Sequence, residues 1–316
     1  MATAIAPRKI ALSFSGSGHL HAYQLGAAHH LLTGNHRWAD RITHFAGASG
    51  GAIAASVCAL LPRERVSEFA EAVSTQGFGF NGASEALQSK GIFAISESDV
   101  QRVSESQTLF LSATHCRTGR NALFSHFPSA AALHRALLAS CAIPKAFHPF
   151  DLVRANPTYP EANGIIVDPG CEYDGGQAAA HDAAMTGALP FSPHGEAYVD
   201  GGITNTAPLL HKLPTTSTLC TPPVAATLTC SPISGPHGCV SQSSRDHFHL
   251  CPSDASVRVP WWTPALAGMR CHLSIDNLRA FKMSLGAREH TLTEWFRRGR
   301  TDAERFTHET EPPDPV

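Results

Sequence analysis

The chain has 316 residues, 43% of them hydrophobic and 16% charged, enough for one large α/β domain or two smaller ones with a substantial core. With Lys+Arg at 24 and Asp+Glu at 26 the net charge is −2, so the basic surface that nucleic-acid binding needs is missing and no nucleic acid is expected as a partner. Cys 9, without regular spacing, and an N-terminus lacking an apolar core of signal-peptide length predict free thiols in a cytoplasmic, reducing setting, and no apolar run is long enough to cross a bilayer.

Residues 1–8 read as an N-terminal extension. A first strand is predicted over Lys9–Phe14, running into Ser15-Gly16-Ser17-Gly18, and then a helix over Leu20–Leu32 carrying Tyr23, Leu25, Ala27, Ala28 and Leu31. Two readings compete for the glycine turn. A dinucleotide fingerprint would want a glycine at position 21, where His21 stands; an anion-holding nest would instead use the backbone N–H groups of Gly18 and His19. A second strand at Ile42–Ala46 completes a βαβ opening. It closes in Gly47-Ala48-Ser49-Gly50-Gly51, followed by the small-residue helix Ala52–Leu61. This G-x-S-x-G pattern fits a nucleophile elbow, a strained strand-to-helix turn that holds the Ser49 hydroxyl clear of the sheet and tolerates only small neighbours. The alternative is a glycine-rich turn with a capping serine. If the elbow is right, the glycine turn one strand earlier makes a natural oxyanion hole.

Further along, Arg63–Ser74 predicts an amphipathic helix and Gln76–Lys90 a loop. Two strands, Thr108–Thr114 and Asn121–Phe127, are joined by a turn at Arg117–Arg120, and Ser129 caps a helix over Ala130–Cys141. An insertion near 155–194 is rich in Pro, Gly and Ala. Order returns at Tyr198-Val199-Asp200-Gly201-Gly202, with a core strand at Val224–Cys230 and a second loop-like insertion near 231–256. The stretch 262–300 reads as helical, and 301–316 as a disordered tail. The histidines number 19, and His247, His249, Cys239 and Cys251 come nearest to a metal site, but their spacing matches no zinc pattern; neither metal nor cofactor is expected.

Three blocks together resemble the patatin-like phospholipases, closest to the branch containing adiponutrin and adipose triglyceride lipase. They are Leu12–Gly18 with Tyr23, Gly26 and Gly47–Gly51; Ser125–Phe127 with Leu138–Pro144; and Tyr198–Ile203 with Pro208 and Thr227–Gly235. The resemblance implies a three-layer α/β/α fold with a mostly parallel central sheet, one domain over 9–300. It implies lipid acyl hydrolysis of acylglycerols or phospholipids by a Ser–Asp dyad without histidine. Ser49 would be the nucleophile and Asp200 the base, with Gly16, Ser17, Gly18 and His19 around the oxyanion hole, Gly47 and Gly51 shaping the elbow, and Gly201 and Gly202 turning the chain after the base. A lipid ester is the implied substrate, met at a membrane or lipid-droplet surface; a protein co-activator is left unspecified. His21 stands where that branch has glycine, which matters if the position needs positive φ. Asp174-Gly175-Gly176 repeats the Asp-Gly-Gly motif but lacks the flanking apolar strand.

Other readings remain open on sequence. A Ser-His-Asp hydrolase would draw its base from His237 or His247. The dyad could pass its acyl group to an alcohol, making a transacylase. A catalytically weak lipid-surface protein could dock through Trp261-Trp262 and Trp295-Phe296-Arg297-Arg298, unless those aromatics pack the last helix onto the core.

Overall fold

The computed structural model describes residues 8–76, 93–116, 121–143, 189–190, 197–213, 224–235, 240–244, 246–253, 265–266, 269–286 and 289–313. The expected loop after Gln76, the turn at 117–120, nearly all of the insertion at 155–194, and Asp174, His237 and Trp261-Trp262 lie outside the described residues.

Strands β1 (Ile10–Phe14), β2 (Ile42–Ala48), β3 (Leu109–His115), β4 (Asn121–Phe124), β5 (Leu189–Pro190), β6 (Ala197–Asp200), β7 (Ala226–Cys230), β8 (Val240–Ser244) and β9 (His247–Leu250) belong to one sheet. A hairpin pairs β10 (Ala265–Leu266) with β11 (Met269–Arg270). The lateral order is β5-β6-β3-β2-β1-β7-β9-β8, with β4 also on β3. The middle of the sheet, β3-β2-β1-β7-β9, is parallel throughout, and the flanking strands are antiparallel. β1 is buried at all five positions, as a central parallel strand with both faces covered requires.

Helices α1 (His21–Thr33), α2 (Gly50–Leu60), α3 (Arg63–Gln76), α4 (Glu97–Ser106), α5 (Ala130–Ser140), α6 (Ile275–Ser284) and α7 (Glu289–Glu309) flank the sheet. The main core joins Ile10, Leu12 and Phe14 of β1 to Leu25, Ala28 and Leu31 of α1 and to the apolar side of α2. Ala11, Ala46, Phe110 and Leu123 face the other way, onto Leu210 and Leu213. The result is the expected three-layer α/β/α class with a mostly parallel central sheet. Ser129 caps α5 as expected, its Oγ accepting the Ala132 N–H at 3.1 Å.

Three boundaries differ from the sequence expectation. The tail from 301 is not disordered in its first half: α7 continues to Glu309, with Ala303 and Phe306 fully buried. Leu292, Trp295, Phe296, Ala303 and Phe306 recur at helical spacing among charged residues, so the apolar stripe survives a composition that looks polar. The region near 231–256 is not only loop, since it contains β8 and β9. β8 is an edge strand of the sheet and β9 its inner neighbour. The helical stretch after 262 begins late, with the β10–β11 hairpin first and α6 starting at Ile275.

Candidate active site

The elbow forms as the spacing predicts, with β2 ending at Ala48 and α2 beginning at Gly50. Between them Ser49 has φ 55 and ψ −129. Gln107, the other non-glycine residue with positive φ among those described, sits in the ordinary left-handed well at φ 49 and ψ 46. Ser49 does not, and such a conformation costs on the order of 1–3 kcal/mol unless its surroundings hold it. Close packing explains the flanking glycines. A β-carbon at Gly47 would collide with the Gly51 carbonyl, and one at Gly51 with the carbonyls of Phe14 and Ser15.

Asp200 ends β6, which reaches the site antiparallel to β3 at Ala113. Its carboxylate accepts the Gly202 N–H at 2.7 Å, and the Ser49 side chain lies close enough to favour its charged form. Its residue is only 5% exposed, and burial pushes the carboxyl up to about 6 although Ser49 and the Gly202 N–H both pull it down. Ser49 is 7% exposed. The structure therefore brings the two residues together in a dry contact, with a carboxylate more basic than usual beside a hydroxyl.

What holds this pair is the bend that ends α5, a segment to which the sequence assigned no role. The Ser49 N–H donates to Ser140 Oγ at 3.1 Å, and the Ser140 hydroxyl donates in turn to the Ser112 carbonyl at 2.6 Å. The Cys141 thiol donates to the Ser49 carbonyl at 3.3 Å. One residue on, the Ala142 carbonyl accepts the Asp200 N–H at 3.0 Å. Three consecutive residues thus grip the backbones of both halves of the site. The Asp200 carbonyl is held from the other side by the Thr114 hydroxyl at 2.8 Å. The signal in the sequence was the Ser140-Cys141-Ala142 stretch before Pro144; only its place in the fold reveals what it does.

The glycine turn lies against the elbow. Gly18 takes φ +51, and a β-carbon at Gly50 would strike the Gly18 carbonyl. The Ser17 hydroxyl donates to Gln24 Oε1 at 2.9 Å, while Gln24 Nε2 donates to the Ser15 carbonyl at 2.7 Å and the Cys230 carbonyl at 3.3 Å, fastening the turn to the ends of β1 and β7. The N–H of Gly16, a residue expected around the oxyanion hole, is already engaged. It donates to the Thr206 carbonyl at 2.9 Å and to Thr206 Oγ1 at 3.2 Å, so it ties the turn to the segment after Asp200. His19 is half-buried and burial lowers its pKa, leaving it neutral. Positive φ falls at Gly18 and not at residue 21: His21 is helical at φ −54 and ψ −22, and its Nδ1 lies 3.1 Å from the Gly18 carbonyl. A β-carbon at 21 therefore introduces no backbone strain. Gly201 packs on the Ser112 carbonyl, and Gly202 supplies the N–H that orients Asp200.

His247 cannot serve Ser49. It pairs with Thr227 near the start of β7, at the sheet end opposite Gly47 and Cys230, and three strands away from β2. At about 4.8 Å per strand and 3.3 Å per residue, the separation is roughly 15 Å or more. His247 Nε2 lies 3.0 Å from Thr229 Oγ1 instead. Trp295 and Phe296 are buried against α1, with Trp295 edge-on to Tyr23 at 6.0 Å, so they pack the last helix and do not present a docking surface. Among the described residues no group of His, Cys, Asp or Glu could hold a metal ion, and no helix is long and apolar enough to cross a membrane.

Comparison with known proteins gives the following similarities. The human patatin-like phospholipase domain-containing protein 4 is 29% identical over 238 residues, covering 72% of this chain and 73% of that protein. Among solved structures, VipD from Legionella pneumophila is similar at 13% identity and a TM-score of 0.35, over 73% of this chain and about half (51%) of that one. The family model for patatin, the patatin-like phospholipases, matches residues 12–211, a span that holds the glycine turn, the elbow and the Asp-Gly-Gly turn together. This chain belongs to the patatin-like phospholipase family, a family of lipid acyl hydrolases.

Proposed function

We propose that the chain cleaves carboxylic esters of acylglycerols or phospholipids through a Ser49–Asp200 dyad and an acyl-enzyme. Asp200 takes the Ser49 proton as Oγ attacks the ester carbonyl. The developing oxyanion is received by backbone N–H groups of Gly18 and of Gly50, where the first turn of α2 adds its dipole. Collapse returns the proton to the leaving alcohol, and Asp200 then activates the water that releases the fatty acid. The observation that carries this reading is the buried Asp200 carboxylate close beside a serine held in a strained elbow. No histidine is needed, because burial already raises the carboxylate's basicity.

The test is a panel of triacylglycerol, phosphatidylcholine and short-chain esters offered to wild type, Ser49→Ala and Asp200→Asn. Each variant should lose roughly 10³-fold or more in kcat. Turnover retained by Ser49→Ala would overturn the dyad. With such substrates the protein would work at a membrane or lipid-droplet surface as a peripheral protein.

A further inference from the structure

Helices of a globular protein bury their apolar side; α6 sends Ala280 and Met283 to the core but leaves two branched aliphatics out. Asn277 and Ala280 face inward, while Ile275 is 47% exposed and Leu278 60%; Leu285, just past the helix, is 62% exposed. The inward side is held by polar bonds. Asn277 Nδ2 donates to the carbonyls of Ser234 at 2.8 Å and His272 at 2.7 Å, its Oδ1 accepts the Ser234 N–H at 2.9 Å, and its own N–H caps on Ser274 Oγ at 3.1 Å. Positions 275, 278, 282 and 285 fall on one stripe at helical spacing, so exposed Lys282 lies between the leucines, with exposed Arg279 beside it. The helix is firmly seated with an aliphatic, basic face turned to solvent.

The position of this face gives it a use. The end of α6 abuts the oxyanion turn, since a β-carbon at Gly18 would strike the Ser284 carbonyl. Ile143, 51% exposed, extends the Ser140–Ala142 bend that grips Ser49 and Asp200. Among the described residues, the large hydrophobics that stay exposed are Ile143, Ile275, Leu278 and Leu285. All of them belong to segments in contact with the Ser49 site. We propose that α6, with Leu285 and Ile143, docks the protein on an anionic phospholipid surface and sets the mouth of the Ser49 site against the lipid. This rests on the reading of the site as a lipid acyl hydrolase. Aliphatic side chains enter the headgroup boundary while Lys282 and Arg279 meet lipid phosphates and carboxylates, the division of labour of an interfacial helix.

The experiment measures binding without turnover. Ser49→Ala protein, with and without Leu278→Ser plus Leu285→Ser, is floated with vesicles of phosphatidylcholine alone and of phosphatidylcholine and phosphatidylserine in equal parts. The parent should float with the mixed vesicles, and the double leucine change should weaken binding roughly tenfold or more. Lys282→Glu should weaken binding to the mixed vesicles about fivefold or more. Both changes are at exposed positions, and an unaltered melting temperature confirms the fold. Equal flotation of parent and leucine variant, indifference to phosphatidylserine, or a dimer that those same leucine changes dissociate would each overturn the proposal. Failure of the dyad reading would register elsewhere, as ester turnover by Ser49→Ala, with flotation unaffected.

Discussion

Asp200 is destabilising to the fold in the state that the proposed chemistry needs. Its carboxyl moves from an ordinary 3.8 to about 6 because burial disfavours the charge. The folded chain therefore holds this proton more tightly than the unfolded chain does. The penalty is complete above about pH 6 and fades as pH falls toward 3.8, amounting to about 3 kcal/mol at neutral pH. Two expectations follow at this scale. For a water-soluble ester, kcat/KM should fall about tenfold per pH unit below a midpoint near 6, as the base becomes protonated; an acid limb centred near 4 would contradict the buried base. Asp200→Asn, while inactive, should be more stable than wild type by about 1–3 kcal/mol at pH 7.5 in a denaturant titration, because it removes the buried charge and leaves a group that can bond the Gly202 N–H. Ser49 and Asp200 were legible in the sequence because each sits in a turn that admits only small neighbours. A glycine in a turn advertises space, not the direction of its N–H, so the claim of Thr206 on the Gly16 N–H from far along the chain was not legible.

The α1–α7 pair shows how close two elements can be brought by glycine. A β-carbon at Gly26 would strike the Phe296 carbonyl, and one at Gly299 the Tyr23 carbonyl, so the helices meet backbone to backbone. The Tyr23 hydroxyl donates to Asp302 at 3.1 Å, and Trp38 Nε1 donates to the Thr310 carbonyl at 3.2 Å, fixing α7 along its length. In a free helix Gly26→Ala would gain about 1 kcal/mol. Here the methyl meets main chain, which cannot rotate away, and the clash wins: the variant should lose about 1–3 kcal/mol, read as a lower urea midpoint at unchanged m-value. A gain in stability would show that the helices are not in such contact. The sequence understated α7 because its buried apolar positions are separated by Arg297, Arg298, Arg300, Asp302 and Glu304, and because the prolines after 311 suggested an earlier end. It missed β9 for a related reason: His247 and His249 read as loop residues, and only pairing with β7 makes them strand.

Over the whole molecule, one buried and several half-buried histidines set the acid limit. Burial lowers the pKa of His19, His29, His30, His134 and His44, the last to about 4. Each accepts a proton more readily unfolded than folded, so the stability they contribute is full above pH 6.5 and is lost as pH falls through the interval toward 4. Asp200 and Asp302, both raised by burial, act in the opposite sense over much of that range. Over that interval His44, moved from 6.5 to about 4, outweighs Asp200, moved from 3.8 to about 6, and the four half-buried rings act with it, so calorimetric melting temperature should drop between pH 7 and pH 5, and more steeply in Asp200→Asn. A flat profile would show that these rings are not held neutral by the fold. The α/β class and the order of strand, elbow and Asp-Gly-Gly turn were readable from residues 9 to 202, but which strands neighbour which was not, since lateral order depends on pairings between distant segments. That order has a consequence for synthesis. β3, made between β2 and β6 in the chain, also lies between them in the sheet, so the serine on β2 acquires its carboxylate only when β6 closes on β3. If the proposed dyad does the chemistry, a ribosome-bound chain that has not yet released Asp200 would carry an elbow and no base, and a growing polypeptide beside its own cell's membranes would stay chemically silent until that strand is in place.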